Sequence, residues 1–493
     1  MKGNQRIALV LTLLVVAVAA VTSQAETSLY EARKGERLYS IRYPGLGGKE
    51  NAEEILYSDS YFSQPSTATN AKLAHASMAL SAAAYSEPLI RQALDDLGFI
   101  DVRTMDYRTH TFEENDYVAF AMAWKPIRIN GEYRELIVIV LRGTTPGWEW
   151  NSNFVLWPFG IDQHTDFTIS AAKVQEAFRE YYEDICMDSR PIQLDDFWTA
   201  DNSNNMLWIC GHSRGGAAAN ILAKEMNSLS YADFESIYAY TFASPNVKKM
   251  SAGNAYDSSN IHNYVNMWDL ITLVPPAYSR YGVDEYEFPG SNSWEKTISG
   301  FAERSGVRYH PQTYDFQYEL DKMVHSYENF SLKSLLFPNI SSTVTSIKHA
   351  HSMEFYLSWT KPDMSAGRSS LAVPSLKAES IHTKRNSSNY DLVLSWLPVK
   401  GANGYRIYME SGSGDSHTIQ TSETENTRVR VKGLNFEELT DISIAPLSSQ
   451  GNDPLVSVSQ PVTIYCSEWM EAEGGYLYGN PWTPLPTVIY DLP

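Results

Sequence analysis

The chain has 493 residues, of which 58 are acidic and 39 are basic, and its formal net charge of −19 disfavours nucleic acid as a partner. Because one domain typically contains about 100–200 residues, we expect two domains and a tail. The three cysteines, Cys186, Cys210 and Cys466, lack the spacing of metal ligands and predict no disulfide framework.

Residues 1–25 have the pattern of a secretory signal peptide. Lys2 and Arg6 precede an apolar run at residues 7–21, and small residues end the segment before Glu26. A membrane anchor needs about 20 apolar residues, and this run is shorter. We therefore expect cleavage after Ala25, a secreted protein and no stable membrane span. The mature chain keeps 37 basic and 58 acidic residues, a net charge of −21.

Residues 26–360 contain the elements of the first predicted domain. Helices are predicted at residues 70–86 and 87–97. Strands at residues 117–124 and 136–141 are separated by Asn130-Gly131, the turn signal of a hairpin. Residues 167–184 carry apolar side chains at near-helical spacing, and further short strands are predicted at residues 238–242 and 263–267.

Residues 206–224 predict a strand, a sharp turn and a helix. The short apolar run at residues 206–210 leads into Gly-His-Ser-Arg-Gly and then into an alanine-rich segment. This G-x-S-x-G pattern is typical of a nucleophile elbow, in which a strained turn exposes the serine hydroxyl at the top of a sheet. An ordinary glycine-rich turn is the alternative, but the flanking strand and helix favour Ser213 as a nucleophile.

Four further segments resemble the class 3 (fungal-type) lipase family of α/β-hydrolases. They are the strand and Arg-Gly-Thr turn at residues 137–144, the segment 242–247, the aspartate region 263–276 and the histidine segment 351–357. The resemblance implies an α/β-hydrolase-type sheet with flanking helices. It also implies that Asp269 is the acid of a catalytic triad, His351 the base and Thr144 an oxyanion-hole N–H donor. The order Ser213, Asp269, His351 is the one expected of an α/β-hydrolase.

The residue types suit ester hydrolysis. A histidine with an ordinary pKa of about 6.5 accepts a serine proton and returns it to the leaving alcohol at neutral pH. Other candidates for the base are His325 and His349. Asp284 and Glu285 are alternative acids. A plain β-turn at Thr144 and a capping or turn role for Asp269 are the non-catalytic interpretations.

Two neighbours of Ser213 have different predicted roles. Arg214 begins the helix after the turn, so its backbone N–H is the second expected oxyanion donor. Its side chain pairs with a local carboxylate or contacts an acidic substrate. His212 is interpreted as a packing residue at the strand end, because adjacent side chains on a strand point to opposite faces.

Two segments are candidates for a substrate-access region. The interval at about residues 277–347 is long and rich in aromatic residues, which predicts an inserted cap or lid. An apolar helix is predicted within it at residues 330–337. Residues 148–159, rich in tryptophan and phenylalanine, either contact substrate or belong to the core.

Residues 361–371 form a polar linker, after which short strands recur between residues 372 and 466. This spacing predicts an all-β sandwich. The segments at residues 394–399 and 402–408 are similar to the second and third strands of fibronectin type III modules, which places Trp396 and Tyr405 in the core. Asp441 stands where such modules usually carry a tyrosine. Residues 467–493 form a tail rich in aromatics and proline.

The sequence therefore predicts a secreted serine ester hydrolase, a lipase or carboxylesterase, that uses Ser213, Asp269 and His351 through an acyl-enzyme. An ester or lipid, free or at an interface, is the expected substrate, and no metal or organic cofactor is expected. Phospholipase, polyester hydrolase and cell-wall acyl esterase activities stay open. The alternative from another class is a catalytically silent extracellular binding or adhesion protein on a hydrolase fold.

Overall fold

The computed structural model describes residues 37–107, 118–129, 132–144, 162–187, 205–229, 231–249, 257–273, 278–310, 340–362, 377–383, 389–412, 418–435, 440–447 and 462–464. The described part of residues 37–362 forms an N-terminal α/β unit, and that of residues 377–464 forms a C-terminal β unit.

The N-terminal α/β unit is built on a seven-stranded mixed sheet. In chain order its elements are β1 (Arg37–Pro44), β2 (Glu50–Tyr57), α1 (Ala71–Ala83), α2 (Glu87–Asp96), β3 (Ile100–Met105), β4 (Phe120–Ile129), β5 (Glu132–Leu141), α3 (Asp162–Met187), β6 (Asn205–His212), α4 (Arg214–Met226), β7 (Ile237–Phe242), β8 (Lys248–Lys249), β9 (Ile261–Asn266), β10 (Tyr278–Ser279), β11 (Val283–Glu287), α5 (Trp294–Ser305), α6 (Ile340–Ala350) and α7 (Met353–Thr360). Short 3₁₀ helices lie at Asp59–Ser63, Phe234–Ser236 and Leu270–Leu273.

The main sheet has the strand order β11-β9-β7-β6-β5-β4-β3. The pairs from β5 to β11 are parallel, whereas β3, β4 and β5 form an antiparallel edge. The central strands β6, β7 and β9 are buried at every residue, as expected of a sheet covered by helices on both faces. The prediction of a sheet with flanking helices is confirmed.

Two apolar layers enclose the sheet. Helix α1 packs with α7, α5 and the β1–β2 hairpin on one face, and α3 with α4 covers the other. Asn70 caps α1 by accepting hydrogen bonds from the backbone N–H groups of Lys72 and Leu73. The small alanine side chains of α1 and α4 let both helices approach the sheet closely, and they are almost entirely buried.

The predicted cap at about residues 277–347 is wrong for residues 278–310. These residues belong to the body of the α/β unit. Strand β11 pairs in parallel with β9 at the edge of the main sheet. Helix α5 packs against α7, with Phe301 fully buried in the shared core. Residues 311–339, with the predicted helix at 330–337, lie outside the described residues, as do residues 148–159.

The C-terminal β unit consists of two antiparallel sheets. Its strands are β12 (Lys377–Thr383), β13 (Asn389–Ser395), β14 (Gly404–Ser411), β15 (Thr418–Thr424), β16 (Arg428–Asn435), β17 (Thr440–Leu447) and β18 (Val462–Ile464), arranged as β12-β13-β16 and β15-β14-β17-β18. One apolar cluster draws Leu392 from the first sheet and Ile407 from the second, together with Trp396 and Tyr405. The core positions expected for Trp396 and Tyr405 are therefore observed.

A buried ion cluster ties β2 to three helical segments of the α/β unit. Arg304 contacts both oxygens of Glu53, at 2.6 and 2.8 Å, and His75 and Lys361 also lie close to this carboxylate. Burial by itself raises the pKa of Glu53, but the nearby His75 and the hydrogen bonds and charge of Arg304 outweigh it and lower the pKa to about 2. Burial also lowers the pKa of His75.

Both shifts stabilise the fold at neutral pH and weaken it in acid. A depressed folded-state pKa adds stability above the unfolded value, and this stability is lost as the pH falls through the folded value. For Glu53 the loss runs from about pH 4.5 down to about pH 2. Acid therefore removes the stabilising charge of Glu53 and places a charge on buried His75.

We expect Glu53→Gln to destabilise the α/β unit by about 3 kcal/mol at pH 7, because it leaves the buried Arg304 guanidinium without its carboxylate. The variant should also lose less stability than the wild type between pH 4.5 and pH 2. Urea unfolding followed by tryptophan fluorescence measures both effects. Glu50→Gln is the control, because the Arg42–Glu50 pair is half exposed. Equal pH dependence of Glu53→Gln and wild type would contradict the cluster's role.

Candidate active site

Ser213 occupies a strained turn between β6 and α4. Its backbone has φ 59° and ψ −128°, outside the regions that non-glycine residues prefer. Such strain costs about 1–3 kcal/mol and is characteristic of functional sites. A Cβ at Gly211 would lie 2.4 Å from the carbonyl oxygen of Gly215, and one at Gly215 would lie 2.3 Å from that of Leu141. Only glycine therefore lets strand and helix backbones come this close, as the sequence pattern predicted.

Ser213, His351 and Asp269 form a chain of hydrogen bonds. The Ser213 Oγ lies 2.7 Å from His351 Nε2, and His351 Nδ1 lies 2.7 Å from Asp269 Oδ2. The two side chains behind the serine are buried, with exposures of 2% and 0%, whereas Ser213 is part-buried. With Nδ1–H donating to the carboxylate, Nε2 is free to accept the serine proton.

Asp269 is held by two further donors. The Tyr356 hydroxyl donates to Oδ2 at 2.9 Å, and the backbone N–H of Ile271 donates to Oδ1 at 3.0 Å. Burial raises the pKa of Tyr356 well above its ordinary value, so the hydroxyl keeps its proton and stays a donor. Tyr356 lies within the histidine segment 351–357 that indicated His351, but its contact with Asp269 was not predicted.

Asn266 links the segments that carry Asp269 and His351. It ends β9, and its Nδ2 donates to the Ala350 carbonyl at 2.9 Å, one residue before His351. Its Oδ1 accepts from the backbone N–H of Trp268, in the turn that leads to Asp269. One buried amide therefore fixes both loops relative to each other. Its only signal in the sequence is its place three residues before Asp269.

His212 contacts the backbone of His351, the candidate base. The Tyr85 hydroxyl lies 2.8 Å from His212 Nδ1, and His212 Nε2 lies 3.1 Å from the backbone carbonyl of His351. A carbonyl only accepts, so Nε2 carries the proton and Nδ1 accepts from Tyr85. Burial, followed by the charge of His351, lowers the pKa of His212 well below its ordinary value, so the ring stays neutral. His212 is thus not a base, as predicted. Beyond packing, it links Tyr85 to the backbone carbonyl of His351.

We expect Tyr85→Phe to reduce kcat by up to about 100-fold with KM nearly unchanged, because the released His212 no longer fixes the His351 backbone. Steady-state hydrolysis of a p-nitrophenyl ester measures the two constants separately. Tyr107→Phe is the matched control, since Tyr107 is equally part-buried but its hydroxyl donates to the Ala84 carbonyl. An unchanged kcat in Tyr85→Phe would show that His212 has no positioning role.

The two expected oxyanion donors lie beside Ser213. Arg214 is the first residue of α4, so its N–H is at the positive end of the helix dipole. The turn that leads to Thr144 lies against the elbow, because a Cβ at Gly143 would sit 2.7 Å from the carbonyl oxygen of His212. Thr144 itself is part-buried.

The other candidate residues are engaged elsewhere. His349 accepts from the backbone N–H of His310 at 2.9 Å and packs on Phe301, and burial lowers its pKa. Asp284 is bound by both Nε and Nη2 of Arg280. Glu285 has no hydrogen bond to His351, whose Nδ1 faces Asp269. His325 lies outside the described residues.

No group of three or more metal-ligating side chains comes together in the described part of the chain. Cys210 is a free, buried thiol in β6, and burial raises its pKa to about 12. Among the helices that the structure describes, none is both long and apolar enough to cross a membrane.

Residues 138–279 match the family model described as Lipase (class 3). The match supports the class 3 lipase family, an α/β-hydrolase fold and lipase-type hydrolysis of a lipid or ester. It includes Thr144, Ser213 and Asp269 and ends before His351. No curated protein matches the chain.

Solved structures match small portions of the chain with low scores. A chain titled "Myokine structure" is 17% identical with a TM-score of 0.16, over 20% of this chain and 97% of that chain. The fn3 domain of human collagen alpha-1(XX) chain is 17% identical with a TM-score of 0.14, over 22% of this chain and 91% of that chain. Scores this low carry no conclusion about fold.

Proposed function

We propose that the protein is a secreted serine ester hydrolase that acts on a lipid or other carboxylic ester through an acyl-enzyme. The observation that carries the proposal is the Ser213–His351–Asp269 hydrogen-bond chain, built on a strained elbow. The class 3 lipase match adds support from the same segment of the chain. Export rests on the signal-peptide pattern of residues 1–25.

The proposed reaction begins when the Ser213 Oγ attacks the ester carbonyl carbon and His351 Nε2 takes the hydroxyl proton. The carbonyl π electrons move to oxygen, and the N–H groups of Thr144 and Arg214 stabilise the oxyanion. Asp269 stabilises the imidazolium through Nδ1–H. The tetrahedral intermediate then expels the alcohol, which receives the proton from Nε2.

Deacylation repeats these steps with water as the nucleophile. His351 Nε2 takes a proton from water as its oxygen attacks the acyl carbon, and the second tetrahedral intermediate releases the carboxylic acid. The proton returns to the Ser213 Oγ, which restores the enzyme. No residue changes its net protonation over the cycle, so the chain of hydrogen bonds is sufficient for turnover.

Covalent capture with a p-nitrophenyl alkylphosphonate tests the nucleophile directly. The mature protein should release one p-nitrophenolate per chain, and the mass increase should map to the peptide containing Ser213. Ser244→Ala is the control, because Ser244 is near the elbow but fully buried and donates to the Pro245 carbonyl. A wild-type chain that stays unlabelled and inert on all esters would favour the binding-protein alternative.

A series of p-nitrophenyl esters from acetyl to palmitoyl separates an esterase from a lipase. A rate maximum at short chains indicates a soluble-ester esterase, and one at long chains indicates a lipase.

We further propose that the C-terminal β unit is a fibronectin type III-like sandwich, because its two antiparallel sheets share the cluster that contains Trp396 and Tyr405.

A further inference from the structure

Two acidic side chains of the C-terminal β unit lie directly opposite each other. Glu410 on β14 is paired in register with Asp441 on β17. Ile407 on β14 and Ile442 on β17 face the unit's own core. Each lies an odd number of positions from the acid on its strand, so Glu410 and Asp441 are on the outer face of the sheet. Like charges placed opposite each other destabilise a sheet. This carboxylate pair, Glu410 with Asp441, therefore requires a cation beside it.

Arg128 from β4 of the α/β unit supplies that cation. Its Nε donates to Asp441 Oδ2 at 3.1 Å and lies 3.5 Å from Glu410 Oε1, and its Nη1 donates to the carbonyl of Gly412. The three charged side chains are buried, with exposures of 1%, 0% and 3% for Arg128, Glu410 and Asp441. The planar guanidinium is suited to binding several oxygens at once, and burial keeps water and salt from screening the attraction.

Further side chains on the outer face of β14 and β17 are also buried. Ser443 and Ala445 have exposures of 0% and 1%, and Tyr408 has 9%, although none of them points into the core shared by the two sheets. By contrast, β15 and β16 of the same unit are largely exposed. Burial thus concentrates on the strands that carry the carboxylate pair.

The contact lies far from the candidate active site. Arg128 pairs with Tyr133 near the tip of the β4–β5 hairpin, whereas Leu141 at the other end of β5 leads to Thr144. Leu141 is eight positions after Tyr133 on β5, which at a rise of about 3.4 Å per residue is about 27 Å along the strand. The contact through Arg128 therefore lies at the opposite end of the sheet from Ser213 and does not cover the candidate active site.

We propose that the C-terminal β unit is docked as a fixed body on the α/β unit, with the carboxylate pair as the receptor for Arg128. The contact between Arg128 and the carboxylate pair holds the two units together, and it does not take part in ester hydrolysis. The unit is then an integral part of the protein and not a spacer on a flexible linker. This inference is independent of the function proposed for Ser213.

Arg128→Ala in the mature chain tests the docking. Removing one partner of a buried ion cluster is expected to shift the docked-to-undocked equilibrium by about 100-fold or more. Small-angle X-ray scattering should show a larger radius of gyration than in the wild type, and calorimetry should resolve separate unfolding of the two units. Arg134→Ala is the matched control, because Arg134 is on the same hairpin but pairs with Glu132, whose side chain is 52% exposed.

A second variant changes the carboxylate pair in place of Arg128. Glu410→Gln combined with Asp441→Asn removes the receptor charges and should give the same expansion, and it replaces Arg128→Ala if that chain does not fold. Both variants should hydrolyse a short p-nitrophenyl ester within about twofold of wild type, because Arg128 pairs with Tyr133 at the end of β5 opposite the one that leads to the oxyanion turn. Scattering and unfolding indistinguishable from Arg134→Ala, or a wild type that already scatters as two independent bodies, would overturn the proposal.

Discussion

Ser213→Ala is expected to lower kcat for ester hydrolysis by about 10⁶-fold, which is the size of effect seen when a triad serine is removed. The hydroxyl is the only group of the Ser213–His351–Asp269 chain that reaches the part-exposed side of the site, since the other two side chains are buried. Single-turnover kinetics with a p-nitrophenyl ester measure the loss. His351→Ala should produce a loss of similar size, because without Nε2 the serine proton has no acceptor.

The double variant of Ser213 and His351 distinguishes a triad from two unrelated residues. Groups that act as a unit are strongly non-additive, so the double variant should be no slower than either single variant. Thermal unfolding close to that of the wild type must accompany the loss, which shows that chemistry and not folding is affected. A fully active Ser213→Ala would eliminate the proposed mechanism.

The candidate site could be predicted from the sequence because its signals are local. Gly211, Ser213 and Gly215 meet within one turn, and the structure shows the backbone contacts that demand glycine there. Ala243, in the segment 242–247 that resembles the lipase family, has a φ of 53°, which lies in the left-handed region that favours glycine. The positions of Asp269 and His351 followed from short motifs of the same kind.

The supporting contacts could not be read from the sequence because their partners are distant in the chain. Tyr85 and His212 are separated by 127 positions, and Arg128 and Asp441 by 313. No periodicity or spacing encodes such a pair. The position of β11 was missed for another reason, since an edge strand needs fewer apolar residues and residues 283–287 are mostly polar and charged. This strand was therefore included in the long, aromatic-rich interval at about residues 277–347 that was interpreted as a cap.

Asp269→Asn is expected to reduce kcat by about 10⁴-fold while leaving the site geometry intact. We expect the amide oxygen of the introduced side chain to keep the hydrogen bond from the Ile271 N–H, so its NH₂ group takes the place of Oδ2. The Tyr356 hydroxyl, which donates to Oδ2 in the wild type, must then accept from this NH₂ group. That NH₂ would then donate to His351 Nδ1, which forces the proton onto Nε2 and removes the acceptor that faces Ser213. The defect lies in the tautomer of the base, and steady-state kinetics should show it in kcat with little change in KM.

Two comparison variants distinguish the effect of the Asp269 charge from the effects of a neighbouring donor and of an alternative acid. Tyr356→Phe removes one of the donors to Oδ2 but leaves the carboxylate, so its loss in kcat should be far smaller than that of Asp269→Asn. Asp284→Asn is the matched control for an alternative acid, because Asp284 is paired with Arg280 and not with His351. If Asp284→Asn lost more activity than Asp269→Asn, the acid would be misassigned. The reverse order is expected, because only a carboxylate in contact with Nδ1–H both fixes the tautomer and stabilises the imidazolium.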